Sequence, residues 1–338
     1  MVVFSVLMLS SCARSDASNS QPTLTLYTSV DDSFTEMVIE AFTQETGIKV
    51  NILGDTEATK TTGLVTRIMA EKEHPVADVW WSSEPMGTIL LDQAGALEPG
   101  AMAGMVDADW PDELHSEGWS WVGMAMRARV IVYASDRIDT PPTTLAELTD
   151  PKYKGIVGMA RPQFGTTRIH MAMLADTWGI EAFTDWLSAM HANKLRLYDG
   201  NASVVRAIAM GEIDLGLTDT DDVWAGQANG WKVELVYETI GDHPQWASIG
   251  PTLIPNTVAI IKGSSSRELA DRLGSYLVSA QVEEMLYQST TGNTPIHSSL
   301  RAQYGDELLT IDRLPDYIGA SAKVREAMDV CEQVLISP

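Results

Sequence analysis

The chain has 338 residues, 45% of them apolar, and carries 46 acidic against 23 basic side chains for a net charge of −23. At roughly 150 residues per domain this length suggests about two domains with a sizeable core. The acidic excess argues against a nucleic-acid partner, which would need basic patches, and against charge-driven docking on anionic lipid; it reads mainly as a solvated, soluble surface.

Val2 to Leu9 is a compact apolar run, followed by Leu9-Ser10-Ser11-Cys12. It is too short to span a bilayer. The pattern resembles a bacterial lipoprotein signal, where cleavage before the cysteine leaves Cys12 lipidated; the plainer readings are an ordinary signal peptide or a disordered tail. No Lys or Arg precedes the run, a departure from the usual signal that a start set slightly late would produce. Ala13 to Pro22 is small and polar, as a tether should be. With Cys12 as the anchor, Cys331 is a lone thiol and no disulfide is expected. No later segment is long and apolar enough for a transmembrane helix. The expected location is the periplasm or cell surface, membrane-anchored through Cys12.

Strands and helices then alternate. Leu24 to Tyr27 reads as a strand, and a helix opens at Ser33, with Glu36 at capping-box spacing and Gly47 as its left-handed stop. Ile48 to Leu53 is a strand; Leu64, Ile68 and Met69 mark a helix; Val76 to Trp81 is a strand and Pro85 to Ala94 a helix stopped by Gly95. After the middle of the chain the pattern restarts. Gly155–Met159, Leu195–Tyr198, Ile213–Leu217, Val233–Tyr237 and Thr257–Ile261 read as strands. Thr166–Ala175, Glu181–His191, Ser203–Met210 and Asp221–Ala228 read as helices, and a further helix opens with a capping box from Ser265 to Glu268 and carries Leu269, Leu273 and Leu277. Repeated β-α-β units imply mostly parallel sheets with helices on their faces. Trp121 to Tyr133, which contains Arg127 and Arg129, and Ile249 to Ile261 look like connections between two halves. The expected architecture is α/β and two-lobed: residues 1–21 as signal and tether, 22–128 with 254–338 as lobe I, and 129–253 as lobe II.

One segment stands out. Ile213 to Trp224 carries an apolar strand straight into Asp219, Asp221 and Asp222. Three carboxylates in four residues repel one another unless a cation, a donor-rich ligand or water offsets them, and ligands of open α/β sheets bind beyond the carboxyl ends of strands. The cluster points to a hard cation or a cationic ligand. The plainer reading is a helix N-cap with first-turn acids, which explains one or two of the three. Trp80 and Trp81 end a strand and point to opposite faces; one is expected in the core, while Trp81 is placed on a cleft wall with Ser29 and Ser83. The chain has no HExxH, GxSxG, Walker loop, GxGxxG or Cys/His zinc spacing, and its histidines are scattered, so no enzyme and no catalytic cofactor are expected.

Several segments occur together in order: Leu24-Thr25-Leu26-Tyr27-Thr28-Ser29; Phe42 to Val50; Ala77-Asp78-Val79-Trp80-Trp81-Ser82-Ser83; Arg127 to Tyr133; Met210-Gly211-Glu212-Ile213; and Ile254-Pro255-Asn256-Thr257 through Gly263. The chain resembles the extracellular solute-binding proteins of ABC importers, in the branch that includes the ferric-iron-binding proteins, from about Leu24 to about Ser299. The resemblance implies two lobes that close on a ligand like a hinge, delivery to an inner-membrane permease, and a monomer. It also implies a site. Relatives hold iron with two adjacent tyrosines, which fall here at Asp221 and Asp222, a departure that keeps hard oxygen donors but loses the phenolates. A first-lobe histidine of some relatives matches Asp31, and the first-lobe carboxylate matches Glu84, displaced by one; each also fits a helix start. The synergistic-anion site matches Arg161, Gly165, Thr166 and Thr167, with Asn201 nearby. The ligand set is then Asp31, Glu84, Asp219, Asp221 and Asp222 around Fe(III) or another hard cation. Two alternatives stand beside it: a small organic solute such as a phosphonate, polyamine or thiamine-like cation, and an exported hydrolase.

Overall fold

The computed structural model describes residues 21–55, 62–238, 251–311 and 314–336; Cys12 and the N-terminal signal and tether lie outside them. The chain begins with β1 (Thr23–Thr28), α1 (Asp32–Thr46), β2 (Lys49–Gly54), α2 (Thr62–Ala70), β3 (Val79–Ser82) and α3 (Pro85–Gln93), then enters a long strand, β4 (Trp121–Ala134). Next come β5 (Val157–Ala160), α4 (Gly165–Trp178), α5 (Ile180–Ala192), β6 (Arg196–Tyr198), α6 (Asn201–Ala209), β7 (Leu215–Asp219), α7 (Thr220–Ala228) and β8 (Val233–Tyr237). The return strand β9 (Leu253–Ile260) is followed by α8 (Arg267–Leu277), α9 (Ala280–Gln288), α10 (Ser298–Tyr304) and α11 (Tyr317–Leu335).

The strands follow the order β2-β1-β3-β9-β4-β7-β5-β6, with β8 also paired to β4. The flanks are parallel, β1 with β2 and β3, β5 with β6 and β7. Every antiparallel pairing among the described strands involves β4 or β9. The two stretches expected as connections are therefore themselves strands, and β4 serves both halves. It pairs with β9 as far as Ala128↔Leu253, then with β7 from Arg129↔Asp219. Its residues are almost all buried, as a strand covered on both faces must be. The fold is an α/β, two-lobed one.

Inside β4 the ladder slips by one residue between Met124 and Met126. The extra residue, Ala125, has φ 41°. Its N–H donates to Glu283 Oε1 at 2.7 Å, and its carbonyl accepts from Asn256 Nδ2 at 2.6 Å. A bulge in a strand that serves two lobes bends it where the lobes meet.

Two apolar clusters form the core. The larger includes Leu26, Val79, Trp80 and Trp81; the smaller gathers Met159, Met171, Leu174, Phe183 and Leu217. Helix α11 packs on α4 and α5, and its Ala327 and Cys331 join the smaller cluster. Tyr317, Ala320 and Val324 of the same helix join the larger cluster, so α11 lies against both.

Several local expectations shift. Neither capping box forms. Helix α1 starts at Asp32 and α8 at Arg267, after Asp31 and Ser266, and neither has a side-chain cap. Ser33 is already helical, and the Phe34 and Thr35 N–H groups donate to the Asp31 carbonyl. Gly47 does end α1, at φ 71°. Met69, expected on the apolar stripe, is 43% exposed. Helices α9 to α11 come in addition to the expected elements.

Close backbone approach fixes α6 over the sheet. A Cβ on Gly216 would collide with Val204 Cγ1 of α6 and lie 3.0 Å from the Gly158 carbonyl. Gly216→Ala should cost about 1–3 kcal/mol by overpacking and lower the urea midpoint without changing the slope. An unchanged midpoint would show that α6 can move away freely.

Candidate functional site

Strand β7 is buried along its length and ends at Asp219; α7 begins at the next residue, with Asp221 and Asp222 in its first turn. Asp219 holds the N-cap position by backbone, but its side chain caps nothing. It turns instead to β4. Arg127 and Arg129 lie two residues apart and so share a face of that strand. Arg129 Nη1 donates to Asp219 Oδ1 at 2.7 Å, and Arg127 Nε donates to Oδ2 at 3.2 Å. Thr166 Oγ1 and Asn201 Nδ2 also donate to Oδ2, at 2.6 and 2.9 Å. All three charged groups are buried, Arg129 at 0% and Asp219 at 2% exposure.

The electrostatics follow from these contacts. Burial alone would raise the Asp219 pKa, but the charges of Arg129 and Arg127 and the Thr166 hydroxyl outweigh it and hold the carboxyl below its ordinary range. Burial likewise pulls Arg127 down, yet Asp221, Asp219 and Asp31 hold it above the usual arginine value. Arg127 also reaches across to the end of β3, where its Nη2 donates to the Ser83 carbonyl at 2.6 Å. Arg129 Nε and Nη2 have no hydrogen-bond partner among the described residues.

The network borders a cavity of about 90 Å³. Val30, Asp31, Phe34, Ser83 and Arg127 line it on one side; Arg161, Phe164 to Thr167, Asn201, Asp219, Asp221 and Asp222 line it on the other. A buried water needs roughly 10–15 Å³ by this kind of measure, so the space suits an ion with its waters or a small anion. Ligand oxygens of Asp219, Asp221 and Asp222 all lie within 4.8 Å of one another. Asp222 accepts from Thr218 Oγ1 at 3.0 Å, and Asp221 lies 3.7 Å from Arg127 Nε.

The expected site residues divide. Asp31 is exposed on the cavity rim. Asp219, Asp221 and Asp222 are brought together, but Asp219 is engaged by the protein's own donors, leaving its two neighbours better placed to face a solute. Glu84 does not join them. It is buried and caps α3: Oε2 accepts from the Met86 N–H at 2.5 Å and Oε1 from the Gly87 N–H at 3.0 Å. Burial raises its pKa, partly offset by those two bonds. The helix-start reading of Glu84 is the one that holds, because an acid just before a Pro-led first turn meets unpaired amides.

Trp81 is no cleft wall. Both tryptophans are fully buried, and Trp80 Nε1 donates to Thr88 Oγ1 at 2.8 Å. The strand lies between helices, so both of its faces are interior. Ser83 lines the cavity, while Ser29 sits behind it and donates or accepts at 3.3 Å to Ser83 Oγ.

On the anion side, Arg161 and Gly165 line the cavity, with Gly165 at φ 56°. Arg161 is 46% exposed at its side chain and pairs with Asp199 at 3.4 Å. The Thr166 hydroxyl is given to Asp219, so it is not an anion donor as expected. Thr167 Oγ1 bonds Asn201 Oδ1 at 3.3 Å. No motif in the sequence marks Arg127, Arg129, Asn256 or Asn293 as site residues, yet Arg127 and the two asparagines line the cavity. A signal existed for the arginines: two charges at i and i+2 in an apolar strand need a shared buried partner.

Residues 37–308 match the family model for bacterial extracellular solute-binding proteins. The chain is 25% identical over 344 residues to iron uptake protein A1 of Synechocystis sp., covering 96% of this chain and 93% of that one. It is 25% identical over 272 residues to the major ferric iron-binding protein of Neisseria meningitidis, 78% of each chain. Among solved structures, iron-bound HitA from Pseudomonas aeruginosa aligns with TM-score 0.75 at 22% identity, covering 93% of this chain and all of that one, 100%. AfuA from Actinobacillus pleuropneumoniae, with fructose-6-phosphate bound, aligns with TM-score 0.78 at 20% identity over 94% of this chain and 100% of that one. These structural likenesses establish the fold.

Asp219→Asn should leave two buried guanidinium groups short of a counter-charge and cost about 3–5 kcal/mol in a urea titration. Because the folded pKa is depressed below the ordinary 3.8, the stabilisation from Asp219 is fully present above about pH 4 and is lost as pH falls toward the folded value. The wild type should therefore lose stability below pH 4 more steeply than the variant. Parallel acid profiles would overturn this account.

Proposed function

The chain belongs to the bacterial extracellular solute-binding proteins, and from that membership we propose that it carries a hard cation, Fe(III) above all, between its lobes to an ABC permease in the inner membrane. Members of this family are transport proteins and not enzymes, which removes the hydrolase reading. The observation that carries the ligand proposal is the trio of carboxylates within 4.8 Å at the end of β7. Asp221 and Asp222 would supply the lobe II oxygens and Asp31 the lobe I oxygen as the cleft closes; Asp219 orients the helix that presents them. Carboxylates are hard donors suited to Fe(III). Arg127, Arg161, Gly165 and Thr167 would then face a small anion bound beside the metal.

Within this proposal, lobe I comprises 22–128 with the chain returning from 254, lobe II comprises 129–253, and α11 bridges them. The protein acts as a monomer held at the membrane by a lipid on Cys12.

One observation favours a second reading. Arg127 is a permanent positive charge within 3.7 Å of Asp221, an unusual neighbour for a bare cation. A fold relative, AfuA, is seen with a sugar phosphate bound. An organophosphate, its phosphate on the arginine side and its hydroxyl or amino groups on Asp221 and Asp222, would satisfy both charges.

Thermal melting of the protein from residue 21 onward, dialysed against chelator, separates the two. A ligand at a hundredfold above its Kd stabilises by about 2.7 kcal/mol. Ferric citrate should raise the Tm, and Asp221→Asn with Asp222→Asn should remove that shift while leaving the unliganded Tm within a few degrees. A shift with glucose-6-phosphate but with no metal would replace the iron reading by the organophosphate one. A full ferric shift in the double variant would take the acidic pair out of the site.

A further inference from the structure

We propose that the indole of Trp224 seats on the backbone of Gly292 as the contact that holds the two lobes in register around the cleft, making both residues positioning residues for solute binding. The proposal rests on the reading of the chain as a cleft-closing solute carrier. Its evidence is independent of which solute is carried.

Trp224 stands two positions after Asp222 on α7, the helix that presents Asp221 and Asp222. Gly292 belongs to the return part of the chain, between Thr291 and Asn293, and both of those neighbours line the cleft. Gly292 itself borders a different cavity, with Trp224, Thr294 and Tyr287, so the segment is a thin wall with the solute cleft on one face and the indole on the other. The approach is close. A Cβ on Gly292 would lie 2.7 Å from Trp224 Cζ3 and 2.8 Å from Cε3, and its φ is 55°, so both the space and the backbone conformation favour glycine.

The wall is tied to the lobe crossing. Thr294 and Met126 exchange both backbone bonds, Met126 N–H to Thr294 O at 2.8 Å and Thr294 N–H to Met126 O at 2.6 Å. Two residues on, the buried Glu283 carboxylate accepts the Ile296 and His297 N–H groups at 2.8 and 2.9 Å, while its other oxygen accepts the N–H of Ala125 in the β4 bulge. The segment is thus fixed to the bend of β4, and the indole is what meets it from α7. The ring is not wedged from every side, since the second cavity, about 360 Å³ and lined also by Tyr237, adjoins it. Rotation of lobe II would lift the ring from its seat and move Asp221 and Asp222 away from Thr291 and Asn293 in one motion.

The test combines Trp224→Ala, Gly292→Ala and the double variant, with Trp224→Phe as the conservative control, measured for ferric citrate affinity and, without ligand, by small-angle X-ray scattering. Each single variant should bind about 10-fold more weakly, or about 1.4 kcal/mol. The double variant should lose clearly less than the two single losses added together, because one contact is removed in all three and only the strain of alanine at φ 55° is additional to Trp224→Ala. Trp224→Phe should retain most of the affinity. Without ligand, the Ala variants should show a larger radius of gyration than the wild type. Wild-type affinity in both single variants, or losses that add in the double, would overturn the proposal. If the wild type takes up no ferric citrate, the iron reading fails, and the ligand-free scattering decides alone: curves identical to the wild type overturn the seat.

Discussion

A carboxylate held out of water between two guanidinium groups sets the terms for the rest of this molecule. Asp219, Arg127 and Arg129 bring three charges into a buried junction, and removing charges from water costs several kcal/mol each unless their partners are well placed. Here Asp219 Oδ2 alone accepts from Arg127, Thr166 and Asn201. These donors come from β4, α4 and α6, so one side chain gathers the crossing strand and two helices of the second half at a point. Arg127 extends the junction into the first half through the Ser83 carbonyl. The direction in which α7 leaves β7, and with it the positions of Asp221 and Asp222, follows from where Asp219 is held.

The same junction changes what the acidic cluster can do. The three carboxylates look alike in the sequence, yet Asp219 is buried and neutralised within the protein while Asp221 and Asp222 line the cavity. A site built this way has less negative charge than its composition suggests, and a trivalent cation would bring an excess of positive charge that a companion anion offsets. Such a site would select a solute by its total charge as well as by its donor preference.

Much of the fold was legible because local chemistry and tertiary structure agree. The βα alternation, Gly47 and Gly95 as helix stops, and the strand running into Asp219 all appear where periodicity puts them. What failed did so for particular physical reasons. Ser33 and Ser265 have the spacing of caps, but α1 begins at Asp32 and α8 at Arg267, after Asp31 and Ser266, and neither start carries a side-chain cap. Trp81 reads as half-exposed because alternation assumes one wet face, and this strand has none. Glu84 has the right chemistry for a ligand and lies one residue from the cleft; helix α3 claims it first. The arginines of β4 were visible, and their meaning was not, because the partner lies ninety residues away in sequence at Asp219, 92 positions from Arg127.

The bulge at Ala125 has a consequence for how this chain tolerates length changes. Side chains on a strand alternate, so everything beyond an inserted or deleted residue exchanges faces unless a bulge takes up the difference. Ala125 is the one-residue offset that separates the β9-paired start of β4 from the part bearing Arg127 and Arg129. Deleting it would leave a regular ladder, with a better backbone and no residue at φ 41°. It would leave Met126 opposite Pro255 and Arg127 opposite Ile254, so both guanidinium groups would keep their faces, and the loss would be the bonds that tie Ala125 to Glu283 and Asn256. The bulge is thus a place where one residue can be gained or lost without inverting the strand, whereas a length change between Met126 and Arg129 would turn the arginines from Asp219.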